Sequence, residues 1–214
     1  MEKKHKIRGK KMNVLKELLY YLIGRVPAEL HQVQGKKLLH ISDTPASFFG
    51  ELSRIIGILQ PDYIVHTGDL VDNIKLEIYP GSVDRYRRDV KKLIKLLENS
   101  SAREVYLVMG NHDNIQEVQK LCNRSHILAE AEIVNIEGRN FAIAHNESDL
   151  ADLQAPISLF GHNLKQKSGY AEGRIFLNGI SNIHLIELET LQYYSYPYPA
   201  GTDNDRLGRG KIGL

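Results

Sequence analysis

With 214 residues, the chain is long enough to enclose one domain with a sizeable core and too short for two full domains. Hydrophobic residues make up 42% of it and charged residues 25%, as is usual in soluble globular proteins. The single cysteine, Cys122, excludes an intramolecular disulfide and fits a reducing compartment, so we predict a cytoplasmic protein.

Basic residues are concentrated at the start of the chain. Residues 1–11 carry six basic side chains and one acidic one. Since the whole chain has a net charge of +2, the rest of the chain is mildly acidic. Such a tail suits contact with nucleic acid or with an anionic membrane surface, but most basic tails are simply solvated. We favour the solvated interpretation, since no aromatic residues alternate with basic ones as in single-strand binding proteins.

Apolar residues recur at the spacing of one helical face over Met12–Val26. The segment is shorter than the roughly 20 apolar residues that span a bilayer. Lys16 and Glu17 also interrupt it where a signal peptide would be apolar. We predict an amphipathic helix that packs on the domain or on a partner, and a helix that lies on a membrane surface is the alternative.

From Lys36 onward, short apolar runs alternate with helical patterns, which is typical of an α/β or layered α+β domain. Residues 72–82 are predicted to form a loop, and residues 137–140 the turn of a hairpin. We divide the chain into a basic tail with a helix (1–35), a domain (36–190) and a C-terminal tail (191–214). The predicted strands are 38–42, 63–67, 105–109, 133–136, 141–144, 157–160, 175–177 and 184–189, and the predicted helices are 48–59, 83–98 and 115–122.

Side chains with metal-binding groups stand within two residues of the ends of five predicted strands. Because site residues of α/β folds gather beyond the carboxyl ends of strands, we expect them to converge on one crevice. Carboxylate, amide and imidazole donors together suit Mn²⁺, Fe²⁺ or Zn²⁺ better than a thiolate-binding metal. Any one of these histidines alone would more often be an ordinary core or surface residue. The five residues are Asp43, Asp69, Asn111, His145 and His162.

The same residues fall in five ordered sequence blocks. Ser42-Asp43, Gly68-Asp69, Gly110-Asn111-His112-Asp113, His145 and Gly161-His162 are similar to the blocks D-x-H, G-D, G-N-H-[DE], H and G-H-x-H of the calcineurin-like metallophosphoesterases. The resemblance covers roughly residues 36–190. It implies a β-sandwich flanked by helices and the metal-dependent hydrolysis of a phosphomonoester or phosphodiester.

The resemblance also implies a set of metal ligands. Asp69 matches the carboxylate that bridges two metal ions in the family. Asn111, His145 and His162 match the remaining ligands of the second ion. The second-metal site is therefore complete in this sequence.

The first-metal site is depleted. Asp43 matches one of its ligands, but Pro45 and Leu164 stand where the family has two further histidines. Only Asp43 and Asp69 would then hold the first ion, although a hydrated Mg²⁺ accepts one or two carboxylates together with waters and phosphate. The expected cofactor is a divalent ion (Mn²⁺, Fe²⁺, Zn²⁺ or Mg²⁺), with one ion firmly held and a second, weak one left open.

His112 resembles the family histidine that assists the leaving oxygen and contacts the phosphate. An imidazole with a pKa near neutrality suits this proton transfer, and we predict a catalytic role for it. The alternative is that His112 only forms a hydrogen bond with Asp113 or with a ligand. If His112 is catalytic, Asp113 would orient its ring. His40 and His66 lie inside predicted strands, where we expect them to be packed or hydrogen-bonded.

A second class of function stays open. Pro45 and Leu164 also suit a relative that keeps the fold but serves as a binding or scaffold module, as the membrane-coat subunits of this family do. Such a protein would show no metal-dependent turnover and would expose a large apolar patch. The phosphoester substrate itself is not identified by the sequence.

Overall fold

The computed structural model describes residues 26, 28–171 and 173–206. The predictions for the basic tail and for the Met12–Val26 helix lie outside the described residues, apart from Val26, which is buried. Within the described ranges, no helix has the length and apolar character needed to cross a lipid bilayer.

The chain alternates strands and helices in its first half and consists mostly of strands in its second. Four short 3₁₀ turns also occur in the described ranges, at Ala28–Gln32, Ala46–Phe48, Pro80–Ser82 and Glu147–Leu150. The helices are α1 (Phe49–Leu59), α2 (Val83–Glu98), α3 (Ile115–Leu121) and α4 (Thr202–Arg206). The strands are β1 (Lys37–Ile41), β2 (Tyr63–His66), β3 (Glu104–Val108), β4 (His126–Leu128), β5 (Glu132–Ile136), β6 (Arg139–Ile143), β7 (Ile157–Phe160), β8 (Gly169–Ala171), β9 (Arg174–Asn178), β10 (Ile183–Glu187) and β11 (Tyr193–Tyr196).

These strands form two sheets. The first has the order β11-β10-β1-β2-β3-β4, in which β1 to β4 run parallel to one another. The second has the order β5-β6-β7-β9-β8, in which β6, β7 and β9 run parallel. Parallel neighbours end at the same edge of a sheet, so the residues that follow β1, β2 and β3 are adjacent, as are those that follow β6 and β7.

Side chains that alternate along the strands build two cores. Leu38 belongs to the apolar cluster that the two sheets share, whereas its neighbour Leu39 packs in the cluster that contains the buried faces of α1 and α2. This alternation is the period of two expected for a strand covered on both faces. The predicted class, two sheets flanked by helices, is confirmed.

The structure adds three strands that the sequence analysis did not predict: β4, β8 and β11. Each lies at the edge of a sheet and is only partly buried, so none shows the apolar run of a central strand. The segment after residue 190, treated above as a tail, contributes β11 and α4. The division of the chain into 1–35, 36–190 and 191–214 stays a prediction.

Tyr198 fastens the C-terminal segment to the end of β1. Its buried hydroxyl donates to the carbonyl oxygen of Gly179 at 2.7 Å and accepts the backbone N–H of Ser42 at 3.1 Å. The guanidinium of Arg206 lies over the Tyr198 ring, 4.4 Å from its centroid. Since Ser42 precedes Asp43, this contact supports one wall of the site described below.

We expect Tyr198→Phe to lower the free energy of unfolding by about 1–3 kcal/mol, because it leaves buried backbone groups without a partner. Equilibrium unfolding in urea, followed by circular dichroism, measures this change. Tyr170→Phe is the matched control, because Tyr170 is 63% exposed and its change should stay within about 0.5 kcal/mol. Equal effects of both variants would contradict the role of the Tyr198 hydroxyl.

Candidate metal centre and active site

The structure brings the predicted site residues together where the two sheets meet at their carboxyl edges. The first sheet contributes the residues that follow β1, β2 and β3, and the second sheet those that follow β6 and β7. Direct contacts link all of them, as detailed below. In chain order they are Asp43, Asp69, Asn111, His112, His145 and His162.

Three of these residues have an uncommon backbone conformation. Asp43, Asp69 and His162 have φ angles of 50°, 52° and 64°, in the left-handed region that residues with a Cβ rarely adopt. Each follows a strand end by one or a few residues, so the chain turns sharply there. Such conformations cost free energy and are concentrated at functional sites, where the surrounding structure maintains them.

Two glycines allow the strand ends to approach one another. A Cβ on Gly110 would lie 2.3 Å from Asp69 Oδ1, and a Cβ on Gly161 would lie 2.5 Å from Asp43 Oδ2. Real Cβ atoms do not come so close to such atoms. Glycine is therefore required at both positions by contact with the two carboxylates.

A backbone hydrogen bond sets the orientation of the His145 ring. His145 Nδ1 lies 2.7 Å from the carbonyl oxygen of Thr67. Because a carbonyl can only accept, Nδ1 carries a hydrogen, and in the neutral form of the ring Nε2 presents a lone pair to the site. This pairing of one ring nitrogen with the backbone is typical of histidines that bind a metal through the other nitrogen.

Potential ligand atoms of four residues face one another around that lone pair. His145 Nε2 lies 3.1 Å from Asn111 Oδ1, 3.1 Å from His162 Nδ1 and 3.6 Å from Asp69 Oδ2. The amide nitrogen of Asn111 donates to Glu77, which turns the amide oxygen toward His145. A cation bound here would be coordinated by the Asn111 oxygen and by the unprotonated Nε2 of His145.

The donor set fits one divalent ion. One carboxylate, one amide oxygen and two imidazoles match the ligands preferred by Mn²⁺, Fe²⁺ and Zn²⁺. Ligand atoms of Asp69, His145 and His162 all lie within 4.8 Å of one another, close enough to share an ion.

Asp69 is the buried carboxylate at the centre of the site. Its Oδ1 accepts the backbone N–H of His112 at 2.9 Å, while Oδ2 faces His145. Burial, followed by the negative charges of Asp113 and Asp43, raises the pKa of Asp69 well above its ordinary value. A bound cation would counteract this effect and favour the ionised carboxylate.

The part of the site nearest Asp43 has few donors. Asp43 Oδ2 accepts the hydroxyl of Ser42 at 2.5 Å and the backbone N–H of His162 at 3.1 Å. Pro45 introduces the 3₁₀ turn Ala46–Phe48, and Leu164 is 39% exposed. Neither side chain can bind a metal.

Buried histidines on the neighbouring strands do not replace the missing ligands. His66 Nε2 lies 2.9 Å from Thr44 Oγ1, and His40 Nε2 lies 3.0 Å from Thr67 Oγ1. Burial lowers the pKa of His66 to about 3 and that of His40 well below its ordinary value, so both rings are neutral. They are hydrogen-bonded in the interior, as expected.

Asp113 has a different role from the predicted one. Its Oδ2 accepts the backbone N–H of Gly110, and its Oδ1 accepts the backbone N–H of Leu70 and the hydroxyl of Tyr86, each at 2.9 Å. The expectation that Asp113 orients the His112 ring is therefore wrong. Asp113 instead joins the loop after β3 to the loop after β2.

The sequence analysis missed three charged residues between β2 and α2. Asp72 is buried, and its carboxylate lies within 4.8 Å of ligand atoms of Asp69 and His112. Lys75 donates to Asp72, and Glu77 accepts from Asn111, as noted above. Burial, followed by the charge of Asp43, raises the pKa of Asp72 to about 7. The intervals of three residues from Asp69 to Asp72 and on to Lys75 were the available signal.

The sequence profile of the calcineurin-like phosphoesterases matches residues 36–207. No curated protein matched the chain.

Solved structures show similar folds. An archaeal phosphodiesterase is 17% identical, with a TM-score of 0.55 over 75% of this chain and 99% of its own. Vps29 from Entamoeba histolytica (a D62A mutant) is 19% identical, with a TM-score of 0.47 over 78% and 94%. Yfce, a phosphoesterase from E. coli, is 14% identical, with a TM-score of 0.49 over 73% and 96%. At these identities, the likeness to the archaeal structure shows a shared fold.

Proposed function

The chain belongs to the calcineurin-like phosphoesterase family, and on this basis we propose that it is a metal-dependent hydrolase of a phosphomonoester or phosphodiester. One observation carries the proposal: His145 Nε2 lies 3.1 Å from both Asn111 Oδ1 and His162 Nδ1, so that potential metal ligands from three segments meet. An ion held there by Asp69, Asn111, His145 and His162 would occupy the complete half of the site. Mn²⁺, Fe²⁺, Zn²⁺ and Mg²⁺ are the candidate ions.

The side chains of the site have different roles in the proposed hydrolysis. A divalent ion, when bound, polarises a phosphoryl oxygen and activates a water molecule. Asp69 shares its carboxylate between the backbone N–H of His112 and the ligand cluster, which holds the loop after β3 in place. His112 is 8% exposed and would donate a proton to the leaving oxygen.

Of the residues that match the family's first-metal ligand positions, only Asp43 and Asp69 have a donor group. We therefore propose that one ion is bound firmly and that any second ion is weak, because Pro45 and Leu164 offer no donor. We retain the cytoplasm as the proposed location on the strength of the single, partly buried Cys122. Contact of the N-terminal segment with a membrane surface or with nucleic acid stays a prediction.

Hydrolysis of bis-p-nitrophenyl phosphate and of p-nitrophenyl phosphate tests the function. Addition of Mn²⁺ to metal-free protein is expected to raise the rate at least about tenfold, since the metal supplies the nucleophile. Asn111→Ala should lose this activity, whereas Asn204→Ala, which changes an exposed residue of α4, should keep it. Loss of activity in Asn111→Ala but not in Asn204→Ala would exclude a contaminating phosphatase as the source of the activity. The ratio of diester to monoester rates would show which class of phosphoester the protein prefers.

Folded protein that shows no turnover with any of the four ions would contradict the proposal. That result would favour the alternative of a binding or scaffold module, which the exposed Leu164 at a ligand position also suits. A search for protein partners would then be the next experiment.

A further inference from the structure

A lysine lies beside the candidate site. Lys75 Nζ donates to Asp72 Oδ1, and the Asp72 side chain is only 2% exposed whereas that of Lys75 is 30% exposed. A buried carboxylate requires a partner for its charge, so Asp72 keeps the ammonium group in place. Part of Lys75 nevertheless faces solvent, where a ligand can approach.

Asp72 connects the lysine to the core of the site. One of its oxygens lies within 4.8 Å of ligand atoms of both Asp69 and His112. Because Lys75 donates to the same carboxylate group, Asp72 links the ammonium group to these two residues. After burial, the charge of Lys75 is the main cause that lowers the pKa of His112. The same charge also contributes to the lowered pKa of His162, after burial and His145.

Lys75 therefore differs from an ordinary surface lysine. Lys92 on α2 pairs with Asp89 at the same interval of three residues, but its side chain is 69% exposed. An ion pair made by so exposed a lysine contributes little to stability. The partner of Lys75 is instead buried beside a catalytic cluster.

We propose that Lys75, held by Asp72, is a built-in cation that binds the phosphoryl group where Pro45 and Leu164 provide no metal ligand, so that one metal ion is sufficient. This inference rests on the proposed phosphoesterase function. An ammonium group offers three donors and a full positive charge, and lysine is a frequent ligand of phosphate. In a partly buried site, a fixed charge stabilises the phosphoryl oxygens more than it would in water.

Calorimetric titrations without turnover test the proposal. We expect metal-free protein to bind one Mn²⁺ per chain, and the Mn²⁺-loaded protein to bind inorganic phosphate. Lys75→Met should keep one Mn²⁺ per chain but bind phosphate at least about tenfold more weakly, because a charge-assisted contact is lost. Lys75→Arg keeps the charge and should retain most of the phosphate affinity.

Lys92→Met is the matched control and should bind Mn²⁺ and phosphate as the wild type does. Lys75→Met could fail to fold because Asp72 is left unpaired. In that case the double variant Asp72→Asn/Lys75→Met, which removes both charges, is used in the titrations instead of the single variant. Unchanged phosphate binding in Lys75→Met, or in the double variant, would overturn the proposal. The same holds if the wild type binds no phosphate or holds two Mn²⁺ ions equally tightly. If the wild type binds phosphate but hydrolyses no ester, and Lys75→Met loses phosphate binding, the role of Lys75 is supported and only the proposed hydrolase function is rejected.

Discussion

Replacing His145 by alanine is expected to weaken Mn²⁺ binding at least about 100-fold, since even the loss of a residue that merely orients a ligand costs 10–100-fold. Hydrolysis at fixed Mn²⁺ should fall by at least the same factor. The reason is the position of Nε2, which lies within 3.6 Å of potential ligand atoms from Asp69, Asn111 and His162.

Isothermal titration of metal-free protein with Mn²⁺ measures the loss directly, and circular dichroism shows whether the variant is folded. His31→Ala provides the control, because His31 is exposed in the turn Ala28–Gln32, and its variant should bind Mn²⁺ unchanged. A folded His145→Ala protein that binds Mn²⁺ as tightly as the wild type would refute the proposed metal centre.

His112→Ala should lower kcat by about 10²–10⁴-fold, the usual contribution of a positioned acid or base. Metal binding should hardly change, because the contact between His112 and Asp69 is made by the backbone N–H, which alanine retains. The two variants thus separate metal binding from proton transfer.

The leaving group distinguishes this role from a structural one. Because p-nitrophenolate leaves readily without a proton, the loss in His112→Ala should be smaller for p-nitrophenyl phosphate than for phenyl phosphate. Rates with both esters and the Mn²⁺ affinity of the variant provide the measurement. Equal losses for both esters would contradict the acid role, and a large loss of Mn²⁺ affinity would make His112 a metal ligand instead.

Central elements of the fold were predictable from the sequence because their causes are local. Residues 83–98 and 157–160 form the predicted helix and strand with the same bounds. Their periodic apolar residues are buried along one face of the helix and throughout the strand. The strands β4, β8 and β11 could not be predicted, because they are short, partly exposed edge strands that lack the apolar run of a central strand.

Some features of the candidate site were likewise predictable from the sequence, and others were not. The order of polar residues after strand ends is sufficient to select Asp43, Asp69, Asn111, His145 and His162, because parallel strands carry their final residues to one edge. Their role as metal ligands stays a prediction.

Other features of the site depend on contacts between distant segments. Asp113 is adjacent to His112 in sequence, yet its carboxylate is bound by Leu70 and Tyr86. Glu77 orients Asn111 across 34 residues, and Asp72 positions Lys75 beside the cluster only because their loop folds over it. Residue types and strand periodicity are properties of the chain itself, whereas the partner of each buried charge depends on which segments pack together in three dimensions.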